Sequence, residues 1–255
     1  MSAISLQPGI IYGPVLSRRL GRSLGINLLP ADRKVCSFDC IYCQYGPLTA
    51  VQQISTEYSI PTVGDVLSAV EKALRKPRTI EFLTFSGNGE PTLHPNFAEI
   101  VQGVKRLRDQ LRPTAKLAIL SNASRVTEPG VLSVLGWLDA PMMKLDAGDQ
   151  ATFLAINRPA QQVRIVEIIE GLKAVPGLMI QSMLLTGKVS NSRGEAYERW
   201  TEALVTLQPR LIHIYSIDRP TAEDDVIPVS GSQLKNIRDD LHSRFGLPVE
   251  AFWRS

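Results

Sequence analysis

Residues 24–46, LGINLLPADRKVCSFDCIYCQYG, join a short apolar run to a loop that contains every cysteine of the 255-residue chain. The apolar run has the length and composition of a buried strand. The loop places Cys36, Cys40 and Cys43 in the spacing C-x3-C-x2-C. This odd number of closely spaced thiols needs an explanation, because structural zinc sites commonly use four ligands.

The same sequence of an apolar run followed by a polar loop repeats along the chain. Runs with strand character occur at 24–29, 79–85, 116–120, 142–146, 178–185 and 211–217. Helical periodicity follows at 64–75, 96–111, 127–138, 161–174, 194–207 and 231–244. Strict alternation of strands and helices predicts a parallel α/β sheet with helical crossovers, either open and doubly wound or curved like a barrel.

Polar residues collect where the predicted strands end. In parallel α/β folds the ligand site lies at the carboxyl ends of the strands. That coincidence favours an enzyme. The strand ends read FSGNGEP (85–91), LSNAS (120–124), KLDAGD (144–149), LLTGK (184–188) and YSIDRP (215–220).

The three cysteines allow several interpretations. Disulfide pairing would leave one thiol over, and a nucleophile would account for only one of the three. Structural zinc would need His94, His213 or His242 as a fourth ligand. A cubane 4Fe-4S cluster held by three thiolates would leave one iron open to a non-protein ligand.

The cysteine motif closely resembles the signature of the radical S-adenosylmethionine (radical SAM) enzymes, in which an aromatic residue, here Tyr42, precedes the last cysteine. The resemblance implies a partial (β/α)6 barrel and a 4Fe-4S cluster on Cys36, Cys40 and Cys43. It also implies S-adenosylmethionine on the open iron, cleaved to methionine and a 5′-deoxyadenosyl radical that abstracts hydrogen. A flavodoxin or ferredoxin would supply the electron.

The resemblance also implies roles for the polar strand ends. Family members carry a Gly-Gly-Glu type turn that meets the ammonium group of the cofactor, and here an asparagine interrupts the glycine pair. A carboxylate beside a bound ammonium makes a charge-assisted hydrogen bond. The predicted cofactor-binding residues are Tyr42, Gly87, Asn88, Gly89, Glu90, Ser121, Asn122, Asp146 and Gln181.

Three further residues are predicted to be catalytic or to contact the substrate. Lys144 shares a strand face with Asp146, so we expect these two charges to pair or to contact a ligand. Tyr215 and Arg219 would lie at the mouth of the site. There Arg219 could clamp a substrate acid or form a surface pair with Asp218.

Longer runs resemble a bacterial group related to the wyosine-forming tRNA enzymes, notably SRRLGRSLGINLLP (17–30), INRP (156–159) and YSIDRP. This chain lacks the additional cysteines of their second cluster. A tRNA or RNA base is our first hypothesis for the substrate. The alternatives are a small metabolite, a peptide or a partner enzyme, or a non-catalytic zinc- or nucleic-acid-binding module. The RNA hypothesis depends on a basic segment that contains Arg18, Arg19, Arg22, Arg33 and Lys34.

Composition gives the remaining expectations. The net charge of +3 is too small to indicate a nucleic-acid partner by itself. Without linkers or repeats, residues 1–255 are expected to form one domain, with a core at about 20–220, the N-terminal basic segment and a C-terminal helix and strand extension. The chain begins without a secretion signal and has no bilayer-spanning apolar stretch, which predicts a cytoplasmic protein with no membrane partner.

Overall fold

The computed structural model describes residues 4–48, 59–219, 221–223 and 225–253. Within these ranges an eight-stranded sheet runs in the order β1-β2-β3-β4-β5-β6-β8-β10 and curls into a half-barrel. β1 pairs with β2 antiparallel, and the other neighbours are parallel. The strands are β1 (Ile11–Ser17), β2 (Gly21–Ile26), β3 (Phe82–Phe85), β4 (Lys116–Ser121), β5 (Ala140–Lys144), β6 (Met179–Met183), β8 (Leu211–Tyr215) and β10 (Val249–Phe252).

A smaller two-stranded sheet pairs β7 (Leu185–Gly187) with β9 (Val226–Pro228). Helix ends follow local capping chemistry. Thr62 and Ser230 form capping boxes at the starts of α1 and α7, and Gly246 in left-handed backbone ends α7. The helices are α1 (Val63–Leu74), α2 (Phe97–Leu111), α3 (Pro129–Leu135), α4 (Gln150–Asn157), α5 (Ile165–Leu172), α6 (Gly194–Leu207) and α7 (Gly231–Phe245), with a 3-10 turn at Pro91–Leu93.

The two faces of the sheet have different surroundings. Leu24, Leu83 and Leu117 belong to one large core with helix residues such as Val66 and Ile100. A smaller apolar cluster, which includes Ala118 next to Leu117 in β4, lies on the opposite, concave face and is closed by Leu20 from the β1–β2 turn. Its buried members are Leu20, Ala118, Ala140, Met142 and Met179. The cluster fills one part of the half-barrel and leaves the carboxyl ends of the strands open.

Each of the six predicted strands is present, and the predicted curved sheet is confirmed. β1, α4 and the β7–β9 pair were not predicted. β1 contains a Gly-Pro step, which masks its strand character, and its neighbours Val15 and Leu16 are exposed. Among the described residues, no helix combines the length and apolarity needed to cross a membrane.

A close approach between Tyr12 and Gly25 shapes the concave face. A side-chain carbon added at Gly25 would lie 2.0 Å from Cζ of Tyr12, so the ring lies directly on the glycine. The Tyr12 hydroxyl is 2.6 Å from Oγ of Ser86. Only glycine leaves space for the tyrosine here, which is why a residue of low strand propensity occupies the middle of β2.

Candidate active site

A cavity of about 610 Å³ opens at the carboxyl ends of the parallel strands. It is lined by the β1–β2 turn, the cysteine loop and the last residues of four strands. Ser121, Lys144, Met183 and Tyr215 end β4, β5, β6 and β8, respectively. All three cysteines line the same cavity. The strand-end rule therefore located the site from the sequence.

Backbone hydrogen bonds hold the cysteine loop against its neighbours. The N–H of Val35 donates to the carbonyl of Asn88, and the N–H of Glu90 donates back to Val35. Ile41 donates to the carbonyl of Ile156 at the end of α4. The loop is thus attached on both sides, which reduces the conformational freedom of the cysteines it carries.

The cysteines are unpaired thiols, with Cys40 buried and Cys36 and Cys43 half-buried. Burial, followed by the negative charges of Cys40 and Glu90, raises the pKa of Cys36 to about 12. Burial likewise raises the pKa of Cys40. Three thiolates can share this site only if a cationic centre compensates their charge, so the donor set fits a metal cluster.

Two buried asparagines contact the cysteine sulfurs. Nδ2 of Asn122 lies 3.5 Å from Sγ of Cys36, and Nδ2 of Asn157 lies 3.4 Å from Sγ of Cys40. Asn122 was predicted to contact the cofactor. Asn157 belongs to the INRP run (156–159), for which the sequence predicts no role. Only the packing of α4 against the cysteine loop reveals its position. Amide donors to sulfur are one of the ways in which a protein adjusts an iron–sulfur centre.

Glu90 is buried and lines the cavity, with 1% of its surface exposed. Its Oε1 accepts from Oγ of Ser121 at 2.8 Å and from both N and Oγ1 of Thr92, and its Oε2 accepts from the N–H of Asn122 at 2.5 Å. Burial raises the pKa of Glu90, and these hydrogen bonds oppose the rise. The carboxylate is therefore held at a fixed point of the cavity wall.

The glycine turn before Glu90 has a packing role. A side-chain carbon on Gly89 would lie 1.6 Å from the carbonyl oxygen of Val35, and one on Gly87 would meet the side chain of Asn27. Both glycines line the cavity. The glycines are thus needed for contact with protein neighbours, and their predicted contact with the cofactor stays a prediction.

The side chain of Asn88, a predicted cofactor-binding residue, is held by neighbouring backbone groups of the protein. Its side chain is buried and donates to the carbonyls of Gln7 and Pro30, at 3.0 and 2.8 Å, and it accepts from the N–H of Gln7. It is not among the residues that line the cavity. The side chain of Asn88 therefore has a structural role, because its polar atoms are occupied by backbone groups, and the predicted cofactor contact of this residue stays a prediction.

Lys144 and Asp146 form the ion pair expected from the sequence, with Nζ 3.5 Å from Oδ2. The Tyr42 hydroxyl lies between them, donating to Asp146 and accepting from Lys144. Asp146 also accepts from Asn157 and from the N–H of Met183. Tyr42 and Lys144 line the cavity and Asp146 does not. The carboxylate of Asp146 is buried among protein donors and positions Tyr42 and Lys144, while its predicted contact with the cofactor stays a prediction.

Lys144 keeps its positive charge in this network. Burial lowers the pKa of Lys144, but the nearby negative charges, led by Asp146, together raise it by more, and the net pKa lies well above its usual range. A lysine with a raised pKa cannot act as a neutral base near pH 7. Its chemistry is therefore that of a fixed cation in the cavity wall.

Arg19 lies inside the half-barrel. Its Nη1 donates to Oε1 of Gln181 at 2.8 Å, and its guanidinium carbon lies 4.4 Å from the ring centroid of Tyr215. Gln181, a predicted cofactor-binding residue, also lines the cavity and donates to the carbonyl of Met142. The other cations of the basic segment all have protein partners: Arg18 with Asp218, Arg22 with Glu81, Arg33 with Asp32, and Lys34 with Gly46 and Asp39.

Arg219 and Asp218 lie at the cavity mouth, as predicted. The pairing differs from the expected one, since Asp218 pairs with Arg18 and Arg219 donates from Nη1 to Oε1 of Gln44 at 3.0 Å. Pro220, quoted with them, lies outside the described residues. The Arg18–Asp218 pair connects the β1–β2 turn to the loop after β8, across the open side of the half-barrel.

The three histidines lie away from the cysteines. His94 bonds to the carbonyl of Pro61 and accepts from Asn96, His213 packs against Phe252, and His242 is on α7. None of them lines the cavity in the described part of the chain. Nothing in these positions supports a zinc site completed by histidine.

Sequence comparisons agree with this geometry. A sequence profile described as the Radical SAM superfamily matches residues 34–207. A UPF0026 protein of Helicobacter pylori is 32% identical, covering 84% of this chain and 68% of that protein. A UPF0026 protein of Synechocystis is 33% identical, with 94% of each chain covered.

Solved structures of low sequence identity share the fold. A radical SAM methyltransferase from Sphaerobacter thermophilus superimposes with a TM-score of 0.63 at 15% identity, covering 90% of this chain and 65% of its own. A structure of TYW1 with a lysine-pyruvate adduct bound gives a TM-score of 0.61 at 14% identity, covering 88% of this chain and 74% of its own. The profile match and the partial barrel together establish that this chain belongs to the radical SAM superfamily of iron–sulfur enzymes.

Proposed function

We propose that the protein holds one 4Fe-4S cluster on Cys36, Cys40 and Cys43 and uses S-adenosylmethionine to abstract hydrogen from a small substrate. The observation that carries this proposal is that the three thiols and the carboxylate of Glu90 line the same cavity. When bound, the reduced cluster and S-adenosylmethionine supply a one-electron cleavage that gives methionine and a 5′-deoxyadenosyl radical.

Glu90 would hold the ammonium group of S-adenosylmethionine. Its carboxylate is fixed by Ser121, Thr92 and the N–H of Asn122, so it loses little freedom when a cation binds. Among the described residues no cation pairs with Glu90, and a buried carboxylate of this kind benefits strongly from a bound ammonium. Ser121 supports this contact through Glu90.

Lys144 and Tyr42 would form the opposite wall of the reaction space. The ion pair with Asp146 and the Tyr42 hydroxyl fix the ammonium group of Lys144. Because that group stays protonated, its role is to attract and orient a negative or carbonyl group of the substrate. Tyr215 lies beside it at the end of β8 and stacks with Arg19. Both contacts keep the substrate away from bulk water.

A small substrate agrees better with the cavity than a nucleic acid. The RNA hypothesis depended on five basic residues of segment 18–34, and four of them pair with acids or backbone of the protein itself. Paired cations gain less from phosphate contacts, because binding must break an existing interaction. Arg219, at the mouth, would contact an entering substrate. A flavodoxin or ferredoxin would deliver the electron.

Anaerobic reconstitution tests the proposal. Wild-type protein should be brown, contain about four irons and four sulfides per chain, and form 5′-deoxyadenosine with a strong reductant. Cys40→Ala should lose the cluster, while Ser37→Ala, a buried change in the same loop, should keep it. Iron and sulfide assays with electron paramagnetic resonance provide the measurement. A colourless protein with one zinc would instead support the zinc-module alternative.

A further inference from the structure

We propose that Arg19 is the receptor for an anionic group, a carboxylate or a phosphate, on the small-molecule substrate of this enzyme. The inference rests on the proposed function and names the chemistry of its substrate. The position of Arg19 in the fold is the first observation that supports it. Arg19 belongs to the β1–β2 turn, yet it contacts β6 and β8 on the far side of the curled sheet. It therefore lies inside the cavity rather than on the outer surface.

Arg19 is held in place without being neutralised. Stacking on Tyr215 and one hydrogen bond to Gln181 orient the guanidinium plane. Within the described part of the chain, it forms no ion pair with a carboxylate. A guanidinium has five N–H donors arranged to bind two oxygens of a planar or tetrahedral anion. An oriented guanidinium without a protein counterion is a suitable receptor for such a group.

The charge of the cavity supports the same conclusion. Among the described residues that line it, five are cationic and two are carboxylates. Glu90 and Cys36 lie towards β3 and β4, where Asn122 contacts both. Arg19 lies towards β6 and β8. An anion bound by Arg19 is therefore separate from the amino-acid end of S-adenosylmethionine, which the proposed function puts beside Glu90.

The size of the ligand follows from the depth of the site. The contact partner Gln181 is the middle residue of β6, and 4% of its surface is exposed. Leu20, the next residue along from Arg19, closes the apolar cluster beneath. An anion must enter the half-barrel to reach the guanidinium. A metabolite can do so, whereas the backbone of a nucleic-acid duplex is too wide to follow.

Binding of simple anions to the reconstituted holoenzyme tests the proposal. Isothermal titration with succinate and with pyrophosphate, each with saturating S-adenosylmethionine present, should show saturable binding of at least one. Arg19→Gln should weaken that binding by about tenfold or more, and Arg19→Lys by less, since it keeps the charge. Arg22→Gln, an exposed cation outside the cavity, should leave it unchanged. The preferred anion then distinguishes a carboxylate substrate from a phosphorylated one.

The proposal is overturned if wild-type holoenzyme binds neither anion, if Arg19→Gln binds both as well as wild type, or if S-adenosylmethionine competes with them. A measurement on wild type alone covers the case in which the variants do not fold. The preferred anion should protect Arg19 from phenylglyoxal, as read by mass spectrometry, and equal modification with and without it would contradict the inference. Iron content and 5′-deoxyadenosine formation, measured separately, report on the proposed function.

Discussion

The side-chain amide of Asn157 connects Cys40 to Asp146: its Nδ2 lies 3.4 Å from the cysteine sulfur and 2.7 Å from the carboxylate oxygen. The NH₂ group of an asparagine has two hydrogens, so a single amide nitrogen can donate to both the sulfur and the carboxylate. Asp146 in turn accepts from Tyr42, which contacts Lys144. The residue that orients the cavity lysine thus also orients the amide on a cluster thiolate.

We predict that Asn157→Leu makes the midpoint potential of the cluster more negative. The reason is that an N–H donor to sulfur stabilises the reduced, more negative state of an iron–sulfur centre. A redox titration followed by electron paramagnetic resonance measures it. The control is Asn191→Leu, a buried asparagine that bonds to the carbonyls of Asp146 and Met183 and contacts no cysteine. An unchanged potential in Asn157→Leu with a full cluster would refute the prediction.

We predict that Glu90→Gln weakens S-adenosylmethionine binding by about 10- to 100-fold, the value of a hydrogen bond to a charged group, while iron content stays normal. Equilibrium binding to the reconstituted protein gives the dissociation constant. Ser121→Ala is the graded comparison, because it removes one of the donors to Glu90 and keeps the carboxylate. Its effect should be smaller. If both variants bind the cofactor as wild type does, Glu90 does not contact it.

The sequence predicted features that depend on local patterns. The six central strands are short apolar runs, and their polar ends meet because parallel strands end on one side of a sheet. The spacing of the three cysteines alone was enough to predict the cysteine loop as a cluster-binding segment. β1 was missed because its Gly-Pro step and exposed Leu16 depart from strand character, and α4 because its eight residues have little amphipathic pattern.

Long-range contacts account for what the sequence could not predict. The sequence predicted that Arg18 and Arg19 belong to a basic surface patch. Their partners in the structure, Asp218 and Gln181, are separated from them by 200 and 162 residues along the chain. The curl of the sheet brings them together, and curvature has no local signature. The same holds for Asn88, which resembled a ligand-contacting residue of a glycine turn until its bonds to Gln7 and Pro30 were known.

We predict that Gly25→Ala lowers the free energy of unfolding by about 1–3 kcal/mol, the usual cost of overpacking, because its methyl group would overlap the Tyr12 ring. Urea unfolding measures this change. Displacement should also return the Tyr12 hydroxyl to solvent, and its pKa, raised to about 12 by burial, should fall towards 10 in an ultraviolet titration. Gly130→Ala is the matched control, since a side-chain carbon there meets no atom within 4 Å. Equal stability of the two variants would contradict the close packing.

His213 should make the protein less stable as the pH falls from about 6.5 to about 4. Burial, followed by the positive charge of the nearby Arg19, lowers the pKa of His213 to about 4, while Glu250, 3.4 Å from Nε2, is largely exposed. Below pH 6.5 the imidazole of His213 is protonated in the unfolded chain, whereas in the folded protein it stays neutral until about pH 4. Acid therefore stabilises the unfolded chain in this pH range.

The resulting loss in the free energy of unfolding is at most about 3 kcal/mol, and His213→Leu should remove it because leucine has no proton to bind. Urea unfolding at a series of pH values gives the slope for each variant. The exposed His242→Leu serves as the control and should follow wild type. If His213→Leu shows the same acid slope as wild type, the imidazole already titrates normally in the folded protein, and its site on β8 is more open to water than its burial indicates.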